Sequence, residues 1–238
     1  VSDPDAYIML ISSLPSPEAL FLARRPPLSR LRLDRRLRAL TAEDAEILQL
    51  VEDALSWREL PMTISEQEVI ERGRKALSRL ESQSLQRIVR DRLELRTSVV
   101  ALRRRARGDG PPVGEPWGFG RWVGHMERNW TNPGFRLDGV FPWLREADGL
   151  IRQGDAAGLE RLLLEQAYKR LQRATGLHTF DFEAVVIYVL KWNILDRVTH
   201  YNAEAAARRF EDLTRVGLGD FAEPQFAALT AISQGESQ

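Results

Sequence analysis

The chain has 238 residues, 43% of them hydrophobic and 29% charged, which suits a folded protein with a buried core rather than a disordered one. Its 34 basic and 34 acidic residues balance, removing the electrostatic case for non-specific nucleic-acid or membrane-surface binding. It has no cysteine, so disulfides, thiolate metal sites and a cysteine nucleophile are excluded.

Residues 1–5 are acidic and precede only a short apolar run, Tyr7 to Ile11. A secretory signal needs a basic start and a longer apolar stretch, and a membrane span needs about 20 apolar residues, so a cytoplasmic location is expected. Tyr-Ile-Met-Leu-Ile at 7–11 reads as a short extended segment, stopped at Ser13-Leu14-Pro15. Pro15, Pro17, Pro26 and Pro27 predict an irregular stretch after it.

Thr41-Ala-Glu-Asp44 has the form of an N-cap with an acidic third residue, predicting a helix through Leu55 that ends by Pro61. Ser65-Glu-Gln-Glu68 opens another helix, with Val69, Ile70, Leu77 and Leu80 as its apolar positions. Residues 84 to 107 read as one long helix whose stripe is Ile88, Leu95, Val99, Leu102 and Ala106. Residues 108–120 hold five glycines and three prolines, which no helix sustains. That segment is the expected linker between an N-terminal helical lobe, 1–107, and a C-terminal one, 121–238.

An aromatic passage from Trp117 to Trp143 follows, more readily core than a stacking platform. Helices are predicted over 156–174, 182–201 and 203–216, with a short apolar tail at 221–232. The helix from Phe182 is apolar around most of its circumference and is expected to be the central one of this half. The fold class is therefore all-α.

Catalytic signatures are missing from the sequence. His125, His178 and His200 form no helical metal pair, and there is no phosphate-binding GxxxxGK[ST] or nucleophile GxSxG. His178 with Asp181 and Glu183 is a possible weak metal or acid–base group, although a helix N-terminus explains the same residues. Neither a cofactor nor a bound metal is expected, and the chain reads as a protein that is not an enzyme. Of its basic residues only Lys75, Lys169 and Lys191 are lysine. Arginines cluster at 24–38 and at Arg103, Arg104, Arg105 and Arg107. The second cluster suits a helix C-terminus or an acidic partner helix; nucleic acid is the competing partner. The first cluster lies beside the acidic helix at 43–59, and the two can neutralise each other.

Two segments carry a resemblance. Arg90-Asp91-Arg-Leu-Glu94-Leu-Arg96-Thr97 through Arg103 resembles a helix of the protein that caps the central stalk of V/A-type rotary ATPases. Phe180-Asp-Phe182-Glu183 through Asp196-Arg197 is similar to a second helix of that stalk cap. Together with the Ser-Leu-Pro ending at Pro15, they look closer still to a small bacterial family of unknown function encoded beside V/A-type ATPase genes. Glu94 stands where the stalk cap often has asparagine, and Val198 where the smaller family often has tryptophan. The resemblance implies a helical fold and protein–protein contacts with other ATPase subunits of the stalk or membrane ring. It brings the protein to the inner face of the membrane only indirectly, and it transfers no catalytic residue. Under it, Arg96, Arg103, Arg104, Arg105 and Arg107, with Lys191, Arg197 and Tyr201, are the expected partner contacts.

Overall fold

A computed structural model describes residues 4–16, 19–55, 66–112 and 116–200. Among these residues every regular element is helical: α1 (Pro4–Ser13), α2 (Arg30–Leu37), α3 (Ala42–Leu55), α4 (Glu66–Arg79), α5 (Gln83–Ala106), α6 (Val123–Arg128), a 3-10 turn (Pro133–Arg136), α7 (Leu144–Gln153), α8 (Ala156–Thr175) and α9 over 182–200. The all-α expectation holds for them. The Ser65 cap and the predicted elements beyond residue 200 lie outside the described residues.

The extended segment expected at 7–11 is a helix instead. A strand would put Tyr7, Met9 and Ile11 on one face, yet Met9 is 70% exposed while Tyr7 and Leu10 are buried. Their spacing of three is helical, and a helix satisfies its own backbone where a lone strand has no neighbour to pair with. Ser13 Oγ donates to the Leu10 carbonyl at 2.7 Å, and Leu14 N–H to that of Ile11 at 3.0 Å, closing the last turn before Pro15. The described residues of the proline-bounded stretch are irregular, as expected, and α2, which the sequence did not announce, forms just beyond Pro26 and Pro27. Its Leu33 is fully buried against Leu28 and Trp192, and the Trp192 indole donates to the Leu28 carbonyl at 2.9 Å.

Capping follows the sequence closely. The Asp44 N–H donates to Thr41 Oγ1 at 3.1 Å, and that hydroxyl donates to the Asp44 carboxylate at 2.8 Å, fixing the start of α3. Asp155 accepts the Gly158 N–H at 2.8 Å to start α8. Gly154, at φ +71°, ends α7 in the left-handed conformation that glycine adopts without strain.

The organising element is α5, which packs against α3, α4, α7 and α8. Leu85, Val89 and Leu93 join one core with α1, α3, α4, α8 and α9. Leu95, Val99 and Leu102 join another with α7, α8 and the aromatic passage. Of the predicted stripe, Leu95, Val99 and Leu102 belong to the second core, Ile88 packs against the first and Ala106 is exposed. In that second core Trp117 meets Trp130 edge-on at 5.9 Å, and Trp130 packs on the buried Phe135 at 5.6 Å. Residues 118–120, the end of the glycine-rich segment, lie directly on α5. Phe119 N–H donates to Thr97 Oγ1 at 2.8 Å, and Gly120, at φ +99°, sits so close to Glu94 that a Cβ there would fall 2.4 Å from Glu94 Cγ. Burial raises the Glu94 pKa above its ordinary value, partly offset by the Arg121 N–H and charge.

On α9, Tyr188 donates to the Pro15 carbonyl at 3.0 Å, and burial pushes its pKa up to about 12. The folded state thus favours the neutral phenol, whose ordinary value is about 10. Its contribution to stability is complete below pH ~10 and is lost as pH rises through about 12. Urea unfolding between pH 9 and pH 12 is expected to show a steep alkaline loss that Tyr188→Phe makes shallower; an identical slope in both proteins would contradict this.

Candidate functional site

A half-open cleft of about 710 Å³ lies between α3, α5, α8 and α9, within the range of small-molecule sites. Each wall follows from helical spacing. On α5, Arg87, Ile88, Asp91, Arg92 and Leu95 recur at intervals of three or four residues, and so share one face. On α8 the face is Ala167, Arg170, Leu171 and Ala174; on α9 it is Leu190, Asn193, Ile194 and Arg197. Leucine, isoleucine and alanine form the floor, and guanidinium groups stand around it.

One end of the cleft is closed by a bidentate ion pair. Arg30 Nη1 and Nη2 donate to the two Glu52 oxygens at 2.8 and 3.2 Å, Arg30 Nε donates to Asp34 at 2.8 Å, and Asn193 Nδ2 donates to Glu52 Oε1 at 2.8 Å. The guanidinium also sits over the Trp192 ring at 5.7 Å. Hydrogen bonding to Glu52 raises the Arg30 pKa. One arginine of the 24–38 cluster, Arg30, is thus paired with the acidic helix, as the sequence suggested for the cluster.

At the other end His178 bridges two helix starts. Its Nδ1 lies 2.7 Å from Asp181 Oδ2 and its Nε2 lies 2.7 Å from Ser84 Oγ, while Asp181 Oδ1 accepts the Ala184 N–H at 2.8 Å. Donor atoms of His178, Asp181 and Glu183 fall within 4.8 Å of one another. Both ring nitrogens and both Asp181 oxygens are engaged within the protein, so the group ties the start of α9 to the start of α5. A cation there would have to displace these contacts.

Between the two ends lies an excess of positive charge. Arg170 donates to the Asp91 carbonyl at 2.9 Å, with the Asp91 carboxylate 3.8 Å away. Half-buried Arg92 has its pKa driven well below the ordinary arginine value, first by desolvation and then by the Arg96 and Arg170 charges. Arg96 is lowered as well, chiefly by desolvation, with Glu66 opposing and Arg103 adding to the shift.

The expected partner contacts do not form one surface. Arg105 points inward and is 13% exposed; it pairs with Asp148 at 2.9 Å, donates to the Trp130 and Asn132 carbonyls at 3.2 and 2.7 Å, and covers the Phe135 ring at 4.5 Å. Lys191 is buried over the Tyr168 ring at 5.2 Å, and burial lowers its pKa. Arg104 pairs with Glu66 at 3.0 Å, and Arg197 with Glu160 at 2.7 Å at the edge of the cleft. Arg96 is half-buried near the cleft's arginines. Arg103 is exposed, and so is Arg107, which pairs with Asp109 at 3.0 Å. Tyr201 lies outside the described residues.

Sequence reasoning did not single out Arg87, Arg92, Arg170, Arg173 or Glu52, because a charge at helical spacing reads equally well as a solvated face. The one usable signal was that α5 carries arginine or aspartate on a face flanked by leucine on both sides. No protein-family model, curated protein or solved structure matches the chain.

Adjacent arginines of one cluster should therefore behave differently. Replacing Arg105 by alanine strips partners from buried Asp148 and two carbonyls, leaving Asp148 only Arg152 at 2.8 Å. The expected cost is about 2–4 kcal/mol of stability in urea unfolding, whereas Arg103→Ala should stay within about 0.5 kcal/mol. Equal effects would contradict the inward role of Arg105.

Proposed function

We propose that this chain works through protein–protein contacts as an accessory or central-stalk-associated component of a bacterial V/A-type rotary ATPase, similar to the cap of its stalk and with no catalytic step of its own. The observation that supports this reading is the convergence of the two resembling segments. Residues 90–103 lie on α5 and residues 182–197 on α9, far apart in sequence, and both helices wall the same cleft.

Of the contacts expected from sequence, Arg105 and Lys191 serve the interior. The exposed cations at the C-terminal end of α5, Arg103 and Arg107, are the ones open to an acidic partner surface. Guanidinium forks suit carboxylates there, and exposed charges govern encounter rate and selectivity more than affinity. Membrane association would then be indirect, through the complex. Among the described residues no helix is long and apolar enough to cross a membrane.

Affinity capture from cells expressing the tagged chain, read by mass spectrometry, tests the proposal. Rotary-ATPase subunits are expected to be enriched over a control bait. The double reversal Arg103→Glu, Arg107→Glu is expected to reduce that capture several-fold without lowering the melting temperature. Enrichment of no ATPase subunit would overturn the functional reading, and full capture by the reversed variant would overturn the contact assignment.

A further inference from the structure

The cleft between α3, α5, α8 and α9 combines three properties that a mere packing defect does not share. It is large, at about 710 Å³. Its floor is continuous apolar surface from Leu55, Ile88, Leu171, Ala174, Leu190 and Ile194. Its walls carry six arginines, Arg30, Arg87, Arg92, Arg170, Arg173 and Arg197, against four carboxylates, Glu52, Asp53, Asp91 and Asp196.

The four acids have contacts of their own. Glu52 is taken by Arg30 and Asn193, and Asp53 accepts from Gln49 at 2.7 Å. Asp91 faces Arg170, and Asp196 lies 3.4 Å from His200. Arg197 turns to Glu160 outside the cleft. Arg87 and Arg173, at the mouth, have no ion-pair partner among the described residues. Deeper in, Arg92 and Arg170 repel one another across a partly desolvated space, and this repulsion together with burial lowers the Arg92 pKa. An anion placed among these groups would relieve the repulsion and gain charge-assisted hydrogen bonds in a low-dielectric setting.

We infer that the cleft is a binding site for a small amphipathic anion, a single apolar chain ending in a carboxylate or phosphate. The headgroup lies among Arg87, Arg92, Arg170 and Arg173, and the chain lies along the floor toward Leu190 and Ile194. Along α5 the cleft runs about 12 Å from Arg87 to Leu95, a length for one short extended chain, and the Arg30–Glu52 pair also lines it. This inference does not depend on the proposed ATPase association, because it concerns the interior of the cleft rather than the exposed end of α5.

The test is fluorescence titration of the full chain with dansyl-labelled undecanoic acid and, in parallel, its uncharged methyl ester. Saturable binding of one acid per chain is expected, with Kd on the order of 1–10 μM, and the ester should bind about tenfold more weakly. The exposed-site double variant Arg87→Gln, Arg173→Gln should weaken the acid about tenfold and leave the ester unchanged. Ala174→Trp, which fills the floor, should abolish both, with retained melting temperature checked for each variant. Competition with dodecanoate and with dodecyl phosphate identifies the headgroup: displacement by either supports the inference, and the stronger competitor names the chemistry. Equal affinity for acid and ester, no saturation by about 100 μM, displacement by neither competitor, or unchanged binding to a folded Ala174→Trp protein would each overturn it.

Discussion

The fold depends on a single helix being buried on two sides. Leu93 faces a core built with α1, α3, α4, α8 and α9, while Leu95, two residues on, faces a core built with α7 and the aromatic passage. Two residues turn a helix through about 200°, so these neighbours point in nearly opposite directions. Each fully buried leucine contributes about 1.5–3 kcal/mol relative to exposure, so the two faces of α5 bind both cores to one backbone. Polar groups on the same helix are satisfied locally or by the loop laid across it. Ser98 Oγ donates to the Glu94 carbonyl at 2.8 Å, and Thr97 accepts the Phe119 N–H. Such a helix leaves little room for change, since a substitution on either face disturbs one core without relieving the other.

Arginine in this protein is as much a structural residue as a surface one. Arg105 donates to the Trp130 and Asn132 carbonyls, stacks on Phe135 and pairs with Asp148, holding the backbone around a buried aromatic ring whose residue sits at φ +53°. Arg30 joins α2, α3 and α9 through Glu52, Asn193 and Trp192. Guanidinium can do this because it is planar, offers five donors and is weakly hydrated. The cleft is the place where the same chemistry goes further than the carboxylates can match. Arg92, Arg96 and Arg170 crowd together, and apolar residues between them cannot close the gap without bringing like charges closer. A cavity lined in this way follows from the side chains that face it.

Much of the fold was legible where local signals are strong. The Thr41 cap, the long helix at 83–106, the helix from Ala156 and the apolar helix from Phe182 all read directly from capping residues and 3.6-residue periodicity. The errors came where a short apolar run carries no period of its own. Five residues at 7–11 fit a strand as well as a helix, and the burial of Tyr7 and Leu10 is decided by α3 and α9 rather than locally. Likewise, α2 and α7 have few apolar residues each, and α2 forms only because Leu33 finds Leu28 and Trp192. The second face of α5 was overlooked because Leu85, Val89 and Leu93 interleave with charges, and a single stripe already explained the helix. The cleft was invisible for a different reason. Its arginines come from α2, α5, α8 and α9 and its acids from α3, α5 and α9, so only the packing of these helices reveals which charges face one another.

The coupling of both cores through α5 is tested most directly by native-state hydrogen exchange resolved along that helix. Amides near Val89 and near Leu102 should exchange only through global unfolding, with the same opening free energy and the same dependence on denaturant. If the Leu102 end opened at markedly lower free energy while the Val89 end stayed protected, the two cores would be independent, which contradicts their coupling through one helix.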